Sequence, residues 1–288
     1  MKSVVIYYFS GTRNTEIVAN MIRETFYKHG HKISLFRMED ILKGNFNIDH
    51  QEFDLIGIGC PIIGYGTPPI VYNFIRHLPK ENSKKVFIFR TAGGVAPINY
   101  NASKLMARKL DKKGYKVFHE RVFSISSNWV IRYDDLIIRQ LYEATNRKVE
   151  IMCKELIHGK HQVLKTGIRL RILMELASYI FPQILRFVGK DLIINKSCSD
   201  CGLCIKNCPS NNIYRKKGKI RFKLVCNSCM RCVYFCPKLA IKFRFLTFFP
   251  VSGGYNIDTI LKQPYDAIEK ESRPIPSFFN DYIQNDEL

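Results

Sequence analysis

Acidic residues are in short supply in this chain: 25 Asp and Glu face 45 Lys and Arg over 288 residues, a formal charge of +20. Long apolar runs are missing as well. The most apolar stretch, between Glu175 and Arg186, holds ten uncharged residues interrupted by Pro182, short of the roughly 20 that a bilayer-spanning helix requires. Near the N-terminus, residues 4–9 are too few for the apolar core of a secretory signal. The closing Asn285-Asp286-Glu287-Leu288 looks like a retention tail, yet without an entry signal that likeness is coincidence. There is no G-x-G-x-x-G for a dinucleotide, and no Ser-His-Asp, paired-carboxylate or zinc-ligand pattern for hydrolysis. A reducing, cytoplasmic setting with free thiols is the expectation.

Cysteine, by contrast, is concentrated in one place. Eight of the ten lie between positions 198 and 236, in two copies of one run. The first is Cys198, Cys201, Cys204 and Cys208 followed by Pro209; the second is Cys226, Cys229, Cys232 and Cys236 followed by Pro237. Each reads C-x2-C-x2-C-x3-C-P, the spacing that wraps three thiolates around one [4Fe–4S] cluster and sends the fourth to a neighbouring cluster. Every cysteine of the first copy recurs 28 residues later, as Ile213 recurs at Ile241, so the stretch is an internal repeat. Zinc prefers four ligands in two separated C-x2-C pairs, and a disulfide framework needs an oxidising compartment, so both fit poorly.

Residues 191–245 resemble the bacterial two-cluster ferredoxins. That resemblance implies one cluster on Cys198, Cys201, Cys204 and Cys236, and another on Cys226, Cys229, Cys232 and Cys208. A unit this small cannot bury enough apolar surface by itself, so the clusters are expected to staple it. From Asp191 to Pro250 there are twelve Lys or Arg against two Asp. Even after clusters and thiolates add about −2 each, that surface stays positive and suits an acidic partner or a polyanion.

The residues ahead of it are enough for a full domain. Residues 4–9 form a continuous apolar run, as a strand covered on both faces does. The turn Ser10-Gly11-Thr12-Arg13-Asn14-Thr15 follows, then a helical pattern through Ile17, Val18, Met21, Ile22 and Phe26. Strand, hydroxyl-rich turn and helix aim N–H and hydroxyl groups at a phosphate, although ordinary helix capping uses the same residues. Strands at 33–36, 53–60, 86–89 and 115–122 alternate with helices near 69–78 and 103–112, which indicates a doubly wound parallel sheet.

On these residues the first 130 positions resemble flavodoxins. The resemblance implies strand order 2-1-3-4-5 with FMN at the switch point. Its phosphate would sit on Ser10, Gly11, Thr12, Arg13, Asn14 and Thr15. Its ring would lie between a loop with Ile63, Gly64 and Tyr65 and a second with Ala92, Gly93 and Gly94. Arg13 stands where short-chain flavodoxins usually have glycine, which implies either another backbone path or an added phosphate contact. Cys60, closing a strand, reads as a small buried residue.

The expected organisation is therefore an α/β protein with a flavodoxin-like five-stranded domain at 1–130 and a helical linker at 131–190. A small α+β ferredoxin domain with two [4Fe–4S] clusters follows at 191–245, then a tail at 246–288. In the linker, 134–156 has helical spacing and 170–188 is more apolar. Packing between the domains is the expected use of the latter, although Lys165, Arg169, Arg171, Arg186 and Lys190 around it also suit a peripheral membrane contact. His158 and His161 read as surface residues. In the tail, Pro274 and Pro276 break structure while Phe278, Phe279 and Tyr282 are placed to dock. The expected function is electron transfer between the clusters and FMN, with an acidic redox protein as partner. A flavin-dependent reductase with its own small substrate is the alternative, and a polyanion- or membrane-binding protein with structural clusters another. No nucleic-acid-binding motif is present.

Overall fold

The computed structural model describes residues 1–44, 52–251, 253–264 and 277–286. Pro274, Pro276 and the side chain of Phe278 lie outside them. Five strands build the central sheet: β1 (Ser3–Tyr8), β2 (Lys32–Arg37), β3 (Leu55–Pro61), β4 (Lys84–Ala92) and β5 (Tyr115–Ser124). All neighbours run parallel, in the order β2-β1-β3-β4-β5. That is the doubly wound order of flavodoxin-like folds, with the switch point between β1 and β3.

The central strands β1, from Val4 to Tyr8, and β3 are apolar because both faces are covered, whereas β5 carries buried His119, Glu120 and Arg121. Along β1 the side chains alternate: Val4, Ile6 and Tyr8 enter one core, and Val5 and Tyr7 the other. One face is covered by α1 (Asn14–Lys28), the other by α2 (Met38–Leu42), α3 (Pro69–His77) and, past the short α4 (Pro97–Tyr100), α5 (Lys104–Asp111).

The helix α6 (Asp135–Ile157) shares the core of α1 through Ile138, Val149, Met152, Cys153 and Leu156. It belongs to the sheet domain, so that domain runs past residue 130 and 131–190 is not a single linker. Amphipathic spacing had shown a helix there but not which layer it joins. Val251, Tyr255, Ile257 and Ile260, the last two on α11 (Ile257–Lys262), complete the same core. The C-terminal helix Ser277–Gln284 packs Phe279 and Tyr282 on Ile137, Leu141 and Ala144 of α6. Residues 246–288 are thus in part a structural layer of the first domain.

Between the domains run α7 (Ile168–Ile184) and α8 (Val188–Asp191). The cysteine-rich domain is built on two short antiparallel pairs. One is β6 (Leu192–Ile194) with β9 (Ile241–Phe243), the other β7 (Ile213–Lys216) with β8 (Lys219–Phe222). The one-turn helices α9 (Leu203–Lys206) and α10 (Arg231–Tyr234) start inside the two motifs.

Candidate cofactor sites

The sequence repeat reappears in the backbone. Left-handed residues stand at Asp200 and Ser228 and at Gly202 and Met230, equivalent positions within the two motifs, and at Asn211 and Leu239 just after them. Such conformations curl each C-x2-C-x2-C loop tightly enough to turn its thiols inward. The repeat extends to sulfur hydrogen bonding. Asn212 N–H donates to Cys208 Sγ at 3.2 Å, and Ala240 N–H to Cys236 Sγ at 3.3 Å.

Two cavities result. One, of about 480 Å³, is lined by Cys198, Cys201 and Cys204 of the first motif and by Cys232 and Cys236 of the second. The other, of about 460 Å³, is lined by Cys226, Cys229 and Cys232 with Cys208 of the first. The fourth cysteine of each run therefore faces the other run's cavity. No three His, Cys, Asp or Glu side chains among the described residues are grouped to hold a single metal ion. Cysteines of both motifs converging on each cavity, with N–H groups aimed at the Cys208 and Cys236 sulfurs, fit a multi-iron cluster. Burial pushes the Cys226 thiol up to about 12 and raises those of Cys229 and Cys232. Deprotonation of that set must therefore accompany metal binding.

A third cleft opens at the switch point of the sheet, the place where doubly wound folds bind their ligands. Ser10, Gly11, Thr12, Asn14 and Thr15 line it, as do Ile63, Gly64, Ala92 and Gly93. Most of the side chains proposed for a phosphate are bonded to protein. The Asn14 amide donates to the Ser126 carbonyl at 2.9 Å and accepts from Tyr255. Thr15 shares a hydrogen bond with Thr91 at 2.7 Å. Thr12 accepts from Asn128 at 2.7 Å and Ser10 from the Glu16 N–H at 3.3 Å, which leaves both hydroxyl protons to donate. The N–H groups from Gly11 to Thr15 have no protein acceptor among the described residues. Together with the N-terminus of α1, these donors fit a phosphate.

Arg13, Tyr65 and Gly94 do not line this cleft. Arg13 adopts φ 77°, the path a glycine would take, and its guanidinium turns away to Asp258 and Glu16. Tyr65 is 41% exposed and meets Phe181 edge-on, with centroids 6.0 Å apart. The Gly94 carbonyl accepts from the Asn99 amide at 2.9 Å. Cys60 is fully buried and its thiol is pushed up to about 12 by desolvation, so it is a core residue. Five lining residues escaped the sequence reading of this cleft: Ser126, Ser127, Asn128 and Trp129, which follow β5, and Cys229, which it placed only at a cluster. A hydroxyl-rich segment at a strand's carboxyl end was the available signal. Trp129 brings to the cleft an aromatic ring that neither flanking loop places there, and it packs on Phe249 with centroids 4.9 Å apart.

The cysteine-rich domain closes one wall of the cleft. Cys229 lines it, and its carbonyl presses on Gly11 so closely that a Cβ there would collide. Arg231 on α10 donates to the carbonyls of Ser10 and of Gly11 (3.4 Å) and pairs with buried Glu39 at 2.6 Å. The Asn227 side chain accepts from the first free N–H region of α3, at Ile70, with 3.0 Å between atoms. Ser228 donates to the Leu185 carbonyl at 2.5 Å. The loop between Cys226 and Cys229 is thus wedged among the phosphate-type turn, α3 and the connecting helices.

A switch-point cleft on a doubly wound sheet, beside two cysteine-lined cavities, points to a redox protein of the electron-transfer class. A family model described as a 4Fe–4S binding domain matches residues 195–214 and 223–244. The chain thus joins a sheet with the flavodoxin-like strand order to a region that the 4Fe–4S binding model matches. Among solved structures, an archaeal flavodoxin is 14% identical, spanning 54% of this chain and 99% of its own, with a TM-score of 0.36. Flavodoxin 2 from Bacillus cereus is 17% identical over 55% and 99% of the two chains, with a TM-score of 0.39. Two-electron-reduced Megasphaera elsdenii flavodoxin is 28% identical over 41% and 84%, with a TM-score of 0.33. With superpositions this weak, the fold assignment rests on the strand order. No curated protein matches the chain.

Proposed function

We propose that this protein carries two [4Fe–4S] clusters and one FMN and passes electrons between them and an acidic redox partner. Bound clusters supply single electrons, whereas a flavin takes two in single steps, so the combination interconverts one- and two-electron donors. The observation that carries this reading is Cys229, which lines both the switch-point cleft and the second cysteine cavity. Its neighbours hold that contact rigid: Arg231 ties α10 to the 10–11 backbone, and Asn227 anchors the cysteine loop on α3.

The ligand sets follow the two cavities, with Cys236 joining the first three cysteines and Cys208 the second three. For the flavin, the Gly11–Thr15 N–H groups would hold the phosphate, and the 61–64 and 91–93 loops with Trp129 would flank the ring. The partner would meet the hairpin β7–β8, where Lys216, Lys217, Lys219 and Arg221 are exposed. Beside it a broad groove reaches Cys198, lined by Lys190, Lys219, Arg221 and Arg244.

Anaerobic purification followed by iron, sulfide and flavin analysis tests the reading. About eight iron, eight sulfide and one FMN per chain are expected. Cys208→Ala should remove the signals of the site built on Cys226, Cys229 and Cys232. Loss of the Cys198, Cys201 and Cys204 site alone would overturn the crossed assignment, and apoprotein that takes up no FMN in excess would overturn the flavin.

A further inference from the structure

The helix α7 carries an apolar face that nothing among the described residues covers. Its inner side is settled: Met174, Ser178 and Pro182 are buried, four residues apart on one stripe. That stripe packs on the 64–66 loop, where a Cβ on Gly66 would meet the Ser178 carbonyl at 2.6 Å and Pro182 Cγ at 2.7 Å. Glu175, at its flank, is paired with Arg108 of α5. On the opposite side, Ile172, Leu173, Leu176, Tyr179, Ile180 and Ile184 face outward, with Ile172, Leu176 and Tyr179 65, 59 and 62% exposed. Scattered apolar residues on a surface are ordinary, but a continuous stripe along a five-turn helix marks a contact.

Charge selects the occupant. Between positions 165 and 190 there are five basic residues, Lys165, Arg169, Arg171, Arg186 and Lys190, against the single acid Glu175. They bracket the stripe at both ends, and all but the half-buried Arg186 are exposed. We infer that α7 is a docking helix for an anionic lipid surface, lying in the interface with its apolar side in the acyl boundary and its basic ends among the headgroups. The stretch Ile168–Asp191 is long and apolar enough to cross a bilayer by length and composition. Spanning, however, would strip Met174, Ser178 and Pro182 from the body and break the Glu175–Arg108 pair. Lying flat keeps both and uses only the face already outside. This docking does not depend on the cofactor reading.

The test is flotation of the full, anaerobically prepared protein with vesicles of phosphatidylcholine alone or with 30% phosphatidylglycerol, at about 0.1 M salt. Binding to the anionic vesicles should exceed that to the neutral ones at least tenfold. Arg169→Glu with Arg171→Glu should weaken it further, by about fivefold or more per charge. Leu176→Glu with Ile180→Glu should abolish it while leaving the visible spectrum and unfolding midpoint unchanged, because both side chains already face outward. Absence from both vesicle types overturns the proposal. So does a concentration-dependent dimer that the Leu176 and Ile180 substitutions dissociate, since a second copy would then cover the stripe.

Discussion

At the scale of residues, the turn between β1 and α1 shows two different solutions to close packing. Gly11 is required because Cys229 leaves no room for a side chain, and the obstacle is a backbone carbonyl that cannot rotate away. Gly11→Ala should therefore destabilise the protein by about 1–3 kcal/mol, the usual range for overpacking, and should loosen the wall between the two domains. A lowered midpoint of chemical unfolding, together with weaker flavin retention, checks it; an unchanged midpoint would mean that the wall yields. Arg13 holds φ 77° against the preference of every L-residue, with its guanidinium paired to Asp258 at the surface. A left-handed non-glycine residue costs about 1–3 kcal/mol, and an exposed ion pair returns about 0–1. Arg13→Gly should accordingly leave stability within about 1 kcal/mol of the parent, because relieved strain offsets the lost pair and the freer unfolded chain. Arg13→Val, β-branched in the same conformation, should be clearly destabilised in the same assay.

Among the elements, the C-terminal helix is held by groups that respond to pH. Tyr282 OH accepts from the Ser124 N–H at 3.0 Å and shares a hydrogen bond with Thr145 at 2.8 Å. Lys148 lies fully buried under the Tyr282 ring and donates to the Asn285 carbonyl. Burial lowers its pKa to about 8, an effect that Asp286 opposes, from an ordinary 10.5. Between those two values the unfolded chain binds the proton that the folded chain has released, so docking should strengthen as pH rises from about 8 to 10.5. Below about 8 that contribution is absent. Amide exchange across Ser277–Gln284 at matched intrinsic rates should show the gain, and Lys148→Met should flatten it.

How much of this was legible beforehand varies from element to element. The central strands could be read directly, because a strand buried on both faces is largely apolar, as β1 is from Val4 to Tyr8. The cysteine repeat was equally plain, since ligand spacing is a local property. Helix α6 was visible as a helix, but the layer it joins depends on contacts with α1, more than 100 residues earlier. The cleft was half legible for the same reason. Residues 10–15 announce themselves by strand, turn and helix, whereas Trp129 and Cys229 arrive only through tertiary packing. Asn14 and Thr15 have the right chemistry for a phosphate but spend it on Ser126, Tyr255 and Thr91.

For the whole molecule, charge and rigidity decide how it works. The basic excess lies on the hairpin β7–β8 and the groove beside Cys198, although Arg215 is paired with Asp200 and Lys223 sits over the Tyr214 ring. If that face steers an acidic redox protein, the association rate should fall steeply as salt rises from about 0.1 M to 1 M, where the Debye length shrinks from ~10 to ~3 Å. Stopped-flow reduction by an acidic ferredoxin measures it. Reversing Lys216, Lys217 and Lys219 to Glu should slow the low-salt rate at least tenfold, and a salt-independent rate would remove the steering role. The wedge formed by Cys229, Arg231 and Asn227 has a further consequence, for friction. Where redox modules hang on a flexible tether, exchange waits for them to swing together, and thicker solvent slows it. Here the two sites share a wall, so no swing is needed. If the proposed clusters and flavin are bound, internal electron exchange followed after a light pulse should keep its rate as glycerol is added, while reduction by an outside partner slows in proportion to viscosity.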